Sequence, residues 1–158
     1  MDIGAFMDMA RRAGEAPRMG RAGRTGIAGG TAILTLDGAI PARFLNPRDM
    51  IVTRAGPRPL LSLDVEHAAR VCVIPAHAFG HGRPERPLVM GPDQEVTLHG
   101  RAAALLGGAG AIRTAARLAA PVAAPEGTRL YRPRLRDTQL VHAGGTEIVC
   151  AEADITAT

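Results

Sequence analysis

The chain contains no lysine and no tryptophan, and aromatic residues make up only 3% of its 158 residues. Its net charge of +4 therefore rests on arginines, which are spread along the sequence rather than collected in one segment. A nucleic-acid interface is expected to concentrate cations on one face and to offer aromatic rings for base stacking. We therefore expect a solvated, arginine-rich surface, an aliphatic core and no nucleic-acid partner.

Cysteine and long apolar runs are also scarce. The two cysteines, Cys72 and Cys150, lack the close spacing of a zinc site or a disulfide framework. Each lies in a short apolar stretch, which predicts a buried thiol. No apolar run reaches the roughly 18 residues of a membrane-spanning helix, and the N-terminus lacks the apolar stretch of a signal peptide. These absences predict a cytoplasmic protein with no cofactor and no metal.

Residues 1–25 differ in composition from the rest and are interpreted as an N-terminal arm. Apolar residues recur there at spacings of three and four, so residues 2–13 could form an amphipathic helix. Glycine and proline interrupt any regular structure from residue 14 to 26. An isolated helix so short is marginal, so the arm is either disordered or held by a partner. The residues expected to contact that partner are Ile3, Phe6, Met7, Met9, Arg11 and Arg12.

Residues 26–152 show the pattern of a β domain, followed by a tail at 153–158. Apolar and polar residues alternate from Thr31, and Asp37-Gly38 and Gly144-Gly145 are hairpin turn signals. Short strands punctuated by glycine and proline favour an all-β fold over parallel βαβ units. The strands predicted after the first hairpin are 39–44, 50–54, 59–65, 70–74, 88–90, 95–99, 111–113, 138–142 and 146–151.

Two other segments, residues 114–119 and 75–87, have residue patterns that predict local structure. Thr114 is expected to cap a helical turn over residues 115–119. His77, His81 and Glu85 have a spacing that would converge on a metal if the segment were helical. The glycines and prolines between residues 75 and 87 forbid a helix there, so an exposed loop is predicted.

Three stretches resemble blocks of Hint (Hedgehog/intein) domains. Residues 30–38 and 45–53 follow the opening pattern G-T-x-I-x-T-x-x-G, then L-x-P-G-D-x-V-x-T, with Arg48 replacing the usual glycine. Residues 88–98 are similar to the pattern L-x-V-S-P-x-H-x-V-x-L. The resemblance covers about residues 26–152 and implies a compact, Hint-like β fold of bacterial type. The framework positions that it matches include Thr31, Thr35 and Asp49.

The residues that perform Hint chemistry are missing from these blocks. The resemblance places the nucleophilic cysteine at position 26 and the catalytic histidine at position 94, where this chain has Gly26 and Gln94. The family reaction needs a thiol or hydroxyl that attacks the preceding carbonyl, and an acid that protonates the leaving nitrogen. Intein splicing also needs a C-terminal asparagine, whereas Asn46 is the only asparagine here. The resemblance therefore implies a domain without self-cleaving activity.

The expected function is a protein–protein interaction, as an accessory or structural subunit that binds through the arm. Two alternatives stay open. Thr25, one residue before Gly26, could act as a displaced nucleophile and leave residual self-cleavage. The arginines could bind nucleic acid or anionic lipid, with an affinity that falls steeply with salt. We expect no small-molecule substrate.

Overall fold

The structure, a computed structural model, describes residues 23–152. The arm residues Ile3, Phe6, Met7, Met9, Arg11 and Arg12 and the tail at 153–158 lie outside this range. Within it, strands predominate, with one α-helix, α1 (Gly100–Leu106), and 3₁₀ turns at Ala42–Phe44 and Ala115–Arg117. The strands are β1 (Ile27–Ala28), β2 (Ala32–Thr35), β3 (Gly38–Pro41), β4 (Met50–Thr53), β5 (Gly56–Pro59), β6 (Ser62–His67), β7 (Arg70–Ile74), β8 (Leu88–Met90), β9 (Glu95–Thr97), β10 (Ile112–Thr114), β11 (Val122–Ala123), β12 (Arg129–Arg134), β13 (Gln139–Ala143) and β14 (Thr146–Cys150). The predicted all-β class is confirmed.

The strands form two antiparallel sheets. One has the order β11-β7-β8-β1-β12-β6, and the other has the order β10-β9-β14-β13-β2-β4-β5, with β3 paired to β2. The β13–β14 hairpin turns at Gly144 and Gly145, both with positive φ, as their sequence predicted. Short β1 pairs with both β8 and β12, so residue 26 lies at the centre of the first sheet rather than at its edge.

The core is shared by both sheets and is aliphatic. Its largest fully buried side chains include Ile27, Ile33, Ile51, Leu60, Ile74, Met90, Leu98, Leu130, Leu135 and Ile148. Cys72 and Cys150 are both buried and free, as predicted. Complete burial raises the pKa of the Cys150 thiol to about 12, so this thiol remains neutral. Within the described residues, no helix is both long and apolar enough to cross a bilayer.

Several predicted elements have different bounds in the structure. The strand predicted at 39–44 ends at Pro41, because a 3₁₀ turn follows. Residues 56–57 belong to β5 rather than to a turn. The first hairpin turns at Leu36 and Asp37, one residue earlier than its signal suggested. The helical turn at 115–119 is confined to Ala115–Arg117, and the Thr114 side chain makes no capping hydrogen bond.

Strand β12 and helix α1 were not predicted. The arginines of β12 conceal its alternation, because Arg132 and Arg134 form ion pairs with carboxylates of β6 instead of facing open solvent. Helix α1 was missed because its alanine-rich segment is bordered by glycines that indicate irregular structure, and Gly107 ends it at a φ of 131°. Tertiary contacts therefore decided strand β12.

Candidate functional site

The structure brings Gly26 and Gln94 into direct contact, although they are 68 residues apart. The Gly26 N–H donates to Gln94 Oε1 at 2.9 Å, in a buried environment. The amide group of Gln94 in turn donates to the carbonyl oxygens of Glu95, at 3.0 Å, and Val149, at 2.9 Å. These partners fix the orientation of the carboxamide, since its oxygen faces a donor and its nitrogen faces two acceptors. Toward the backbone N–H of residue 26, Gln94 therefore acts only as a hydrogen-bond acceptor.

Position 26 cannot accommodate a side chain. Gly26 has a φ of +109°, which L-residues with a Cβ rarely adopt. A Cβ there would lie 2.9 Å from both the Tyr131 carbonyl oxygen and Arg132 Cγ, and 3.2 Å from Leu130 Cβ. Strand β12 thus closes over the position where the resemblance places a nucleophile. The sequence showed the missing side chain, but only the structure shows that its space is gone.

Residues 23–26, which we call the strap, run between β12 and the turn that follows β8. The Arg24 carbonyl accepts the Asp93 N–H at 2.8 Å, and the Gly26 carbonyl accepts the Gly91 N–H at 3.0 Å. The Arg24 guanidinium also meets the Asp93 carboxylate through two contacts, Nε–Oδ2 at 2.9 Å and Nη2–Oδ1 at 3.2 Å. Gly91 allows this close approach, since a Cβ at that position would collide with the Arg24 backbone.

The other side of the strap contacts an ionic network on β6 and β12. Glu66 accepts the Gly23 N–H through Oε2 and Arg132 Nη2 through Oε1, each at 2.6 Å. Arg132 Nη1 donates to the Thr25 hydroxyl oxygen at 3.1 Å. The neighbour of the Thr25 hydroxyl is therefore a cation that donates, not a base that could accept its proton. Although the sequence placed residues 23–25 in the arm, here they are bonded to the β domain.

The framework positions have structural roles. Thr35 is buried, and its hydroxyl donates to the Gly38 carbonyl at 2.8 Å and accepts the Asp37 N–H at 3.1 Å. Asp49 Oδ2 accepts the Asn46 N–H at 2.8 Å, so its side chain closes the turn as predicted. The Thr31 backbone bonds Ala28 and Ala42 next to β1. These contacts shape the β2–β3 hairpin and the turn at residues 46–49, and none of them involves residues 23–26.

Residues 75–87 form no helix or strand, in agreement with the predicted loop. The rings of His77 and His81 stack with centroids 5.5 Å apart, and His77 Nδ1 accepts the Gly82 N–H at 2.8 Å. Across residues 23–152, no group of three or more histidine, cysteine or acidic side chains is arranged to hold a metal ion. The stacked His77 and His81 rings therefore stabilise the conformation of the loop.

Several arginines are held by carboxylates within the domain. The pairs are Arg24 with Asp93, Arg54 with Glu147, Arg132 with Glu66 and Asp64, and Arg134 with Asp64. Charge held in this way contributes little to a positive face that could attract a polyanion.

Comparison with known proteins identifies the fold of this chain. The solution structure of a bacterial intein-like domain from Clostridium thermocellum matches with a TM-score of 0.60 and 12% sequence identity, over 81% of this chain and 99% of that chain. No protein-family model matches this chain. No curated protein has significant similarity to it. The chain therefore has an intein-like, all-β fold.

Proposed function

We propose that this protein is an intein-like domain that does not cleave itself and that serves as a binding module for another protein. The observation that carries the first part is the contact between the Gly26 N–H and Gln94 Oε1, inside a position closed to any side chain. The second part, binding to another protein, rests on the apolar residues of the arm. The strap fixes the junction between the arm and the domain.

The chemistry supports the loss of cleavage on two counts. Attack on the carbonyl of residue 25 needs a nucleophile on residue 26, and Gly26 has no side-chain atom. Cleavage also needs a proton on the leaving nitrogen, to which Gln94 presents an oxygen that only accepts. Since a positioned acid alone is worth roughly 10²–10⁴-fold in rate, loss of both groups leaves no useful processing.

Intact mass spectrometry tests this part. We expect the full 158-residue chain to persist during incubation with dithiothreitol or hydroxylamine, which trap thioester and ester intermediates. A double variant, Gly26→Cys with Gln94→His, should also remain intact, because β12 occupies the space that the new thiol needs. Loss of the first 25 residues from the natural chain would overturn the proposal. Cleavage of the double variant alone would show that the closed position is not the barrier.

The binding part rests on the arm and its attachment. Bonds from Glu66 and Asp93 hold residues 23 and 24 to the domain, so the junction of the arm with the domain is fixed. The apolar residues expected to contact a partner are Ile3, Phe6, Met7 and Met9, and a partner groove would take such residues as anchors.

A full-length variant, Phe6→Ser with Met7→Ser, tests the arm without disturbing the strap. We expect this variant to lose its partner in pull-down experiments from native lysate, because two anchor side chains become polar. Met19→Ser, in the same arm but outside the predicted helix, serves as the matched control and should retain the partner. Equal recovery by all three chains would remove the arm from the proposal.

One observation favours a second candidate, residual cleavage before Thr25. The Arg24 carbonyl accepts the Asp93 N–H, which would stabilise a developing oxyanion, and the Thr25 hydroxyl belongs to the next residue. Against it, the Thr25 hydroxyl accepts a hydrogen bond from the Arg132 guanidinium, which cannot act as a base. In the same mass measurement, this candidate predicts loss of residues 1–24 and suppression of that loss by Thr25→Val.

A further inference from the structure

One side of the four strands β2 to β5 points away from the core and carries only apolar side chains. Its residues alternate along each strand with residues of the inner side, such as the buried Ile33 and Ile51. The residues of this outer side, which we call the apolar face, are Ala32, Leu34, Leu36, Ala39, Pro41, Met50, Val52, Pro57 and Pro59. We propose that the apolar face binds residues 2–13 of the same chain, the segment that the sequence predicts to be amphipathic.

The strand register makes the apolar face continuous. Leu34 lies across from Ala39 on β3, and Val52 lies across from Pro57 on β5. The antiparallel pairing of β2 with β4 places Leu34 beside Val52, so these residues form one row across four strands. Leu34 is 36% exposed and Leu36 is 61% exposed. Apolar side chains gathered in one exposed patch, unlike single ones, indicate an interaction site.

The shape of the apolar face indicates the kind of segment that it binds. Pro57 and Pro59 have no N–H to donate, so a further strand cannot pair well along the edge of β5. Four strands about 4.8 Å apart make the face about 14 Å wide, and four residue steps from Ala32 to Leu36 make it about 13 Å long. This footprint of roughly 200 Å² is far below the roughly 800 Å² per partner of a stable interface. A single short helix therefore fits the face better than the surface of a second copy does.

The arm contains a segment of matching size and character. In a helix over residues 2–13, the apolar residues Ile3, Phe6, Met7 and Ala10 would share one side. At a rise of about 1.5 Å per residue, the seven steps from Ile3 to Ala10 cover about 10 Å, which is within the length of the face. Contact with the face would also supply the packing that so short a helix needs.

The junction of the arm with the domain lies within reach of the apolar face. Gly23 lies against the end of β6, where a Cβ on Gly23 would collide with the His67 carbonyl oxygen. Eight residue steps separate His67 from Pro59 at the margin of the face, so these two residues are at most about 29 Å apart. The ten steps from residue 13 to Gly23 span up to about 35 Å. A linker of this length gives an effective concentration of about millimolar, which favours a segment of the same chain over one from a second copy.

This contact rests on the proposed function, which assigns the same apolar residues of the arm to a partner, and it adds a regulation. Phe6 and Met7 cannot contact the apolar face and the groove of a partner at the same time. A partner would therefore displace the arm from the domain, and its binding would uncover Leu34 and Leu36.

A tryptophan at position 6 tests the contact, since the natural chain has none. In the full-length Phe6→Trp variant, we expect emission at a shorter wavelength than in the same chain unfolded in urea. Adding Leu34→Ser with Leu36→Ser should lower the docking equilibrium constant at least about tenfold, through loss of apolar contact, and should move the emission to longer wavelength. Leu105→Ser, at a leucine of α1 that is 82% exposed, is the matched control and should leave the emission unchanged.

A second change in the same face guards against a variant that fails to fold. Ala39→Arg, at an exposed position, should also move the emission to longer wavelength, because docking would desolvate the new charge. Far-UV circular dichroism checks that each variant keeps its β structure.

Three outcomes would overturn the proposal. The first is emission from Phe6→Trp at the same wavelength as in urea. The second is a pair of face variants that change the emission no more than Leu105→Ser does. The third is emission that depends on protein concentration between about 1 and 100 µM, because contact within one chain is independent of concentration. The purified chain is measured without a partner, so this test can fail while the pull-down with Phe6→Ser and Met7→Ser succeeds, and the reverse.

Discussion

Replacement of Gln94 by methionine isolates the hydrogen bonds that fix the strap. Methionine has a similar length and volume, so the packing change alone is expected to cost less than about 1.5 kcal/mol. The substitution removes three hydrogen bonds, one from the Gly26 N–H and two to the carbonyls of Glu95 and Val149. At about 1 kcal/mol for each bond, the free energy of unfolding should fall by about 3 kcal/mol. The orphaned Gly26 N–H would add to that loss, because it stays buried.

The measurement is urea denaturation followed by far-UV circular dichroism, since the chain has no tryptophan to report by fluorescence. An unchanged slope against urea would show that the two unfolding transitions expose the same surface. Amide hydrogen exchange at Gly26 gives a local readout and should accelerate in the variant more than exchange in β13 and β14 does.

Gln139→Met is the matched control, on the chain's other glutamine. Gln139 is half-buried in β13, and its side chain has no hydrogen bond within the described residues. We expect this control to change the free energy of unfolding by less than about 0.5 kcal/mol. A loss below about 1 kcal/mol in Gln94→Met, or one no larger than that of the control, would refute the role assigned to the carboxamide.

Two further predictions concern the closed position and the partly buried ion pair between Arg54 and Glu147. Gly26→Ala should destabilise the fold more than Gly38→Ala: both glycines have φ near +107°, at +109° and +106°, but only Gly26 would also meet backbone and side-chain atoms. Equal losses in urea denaturation, each of about 1–2 kcal/mol for the left-handed conformation alone, would show that crowding by β12 is unimportant. Because the pKa of Glu147 is lowered in the folded state, its contribution is present above its unfolded value of about 4.3 and is lost as pH falls through the folded value. The stability of the natural protein should therefore decline more steeply below about pH 4.3 than that of Glu147→Gln; parallel curves would contradict this assignment.

The sequence predicted the fold where signals were local. The alternation after Thr31, the turn at Gly144-Gly145 and the short strands punctuated by glycine and proline indicated an all-β class, which the structure confirms. Asp49 was expected to close its turn from sequence spacing alone, and it does. Local rules failed for β12, because its arginines resemble solvent-facing residues until β6 supplies their carboxylates.

By itself, the sequence determined which atoms are available: no thiol or hydroxyl on residue 26, no imidazole on residue 94, and a backbone of short strands and hairpins. Tertiary structure alone decided that Gln94 accepts the Gly26 N–H, that β12 fills the space beside Gly26, and that Arg83, His99 and His142 share a cleft. The physical reason is the distance along the sequence over which each kind of interaction acts. Turn and strand preferences act between neighbouring residues, whereas each of these arrangements joins segments that lie far apart in the sequence.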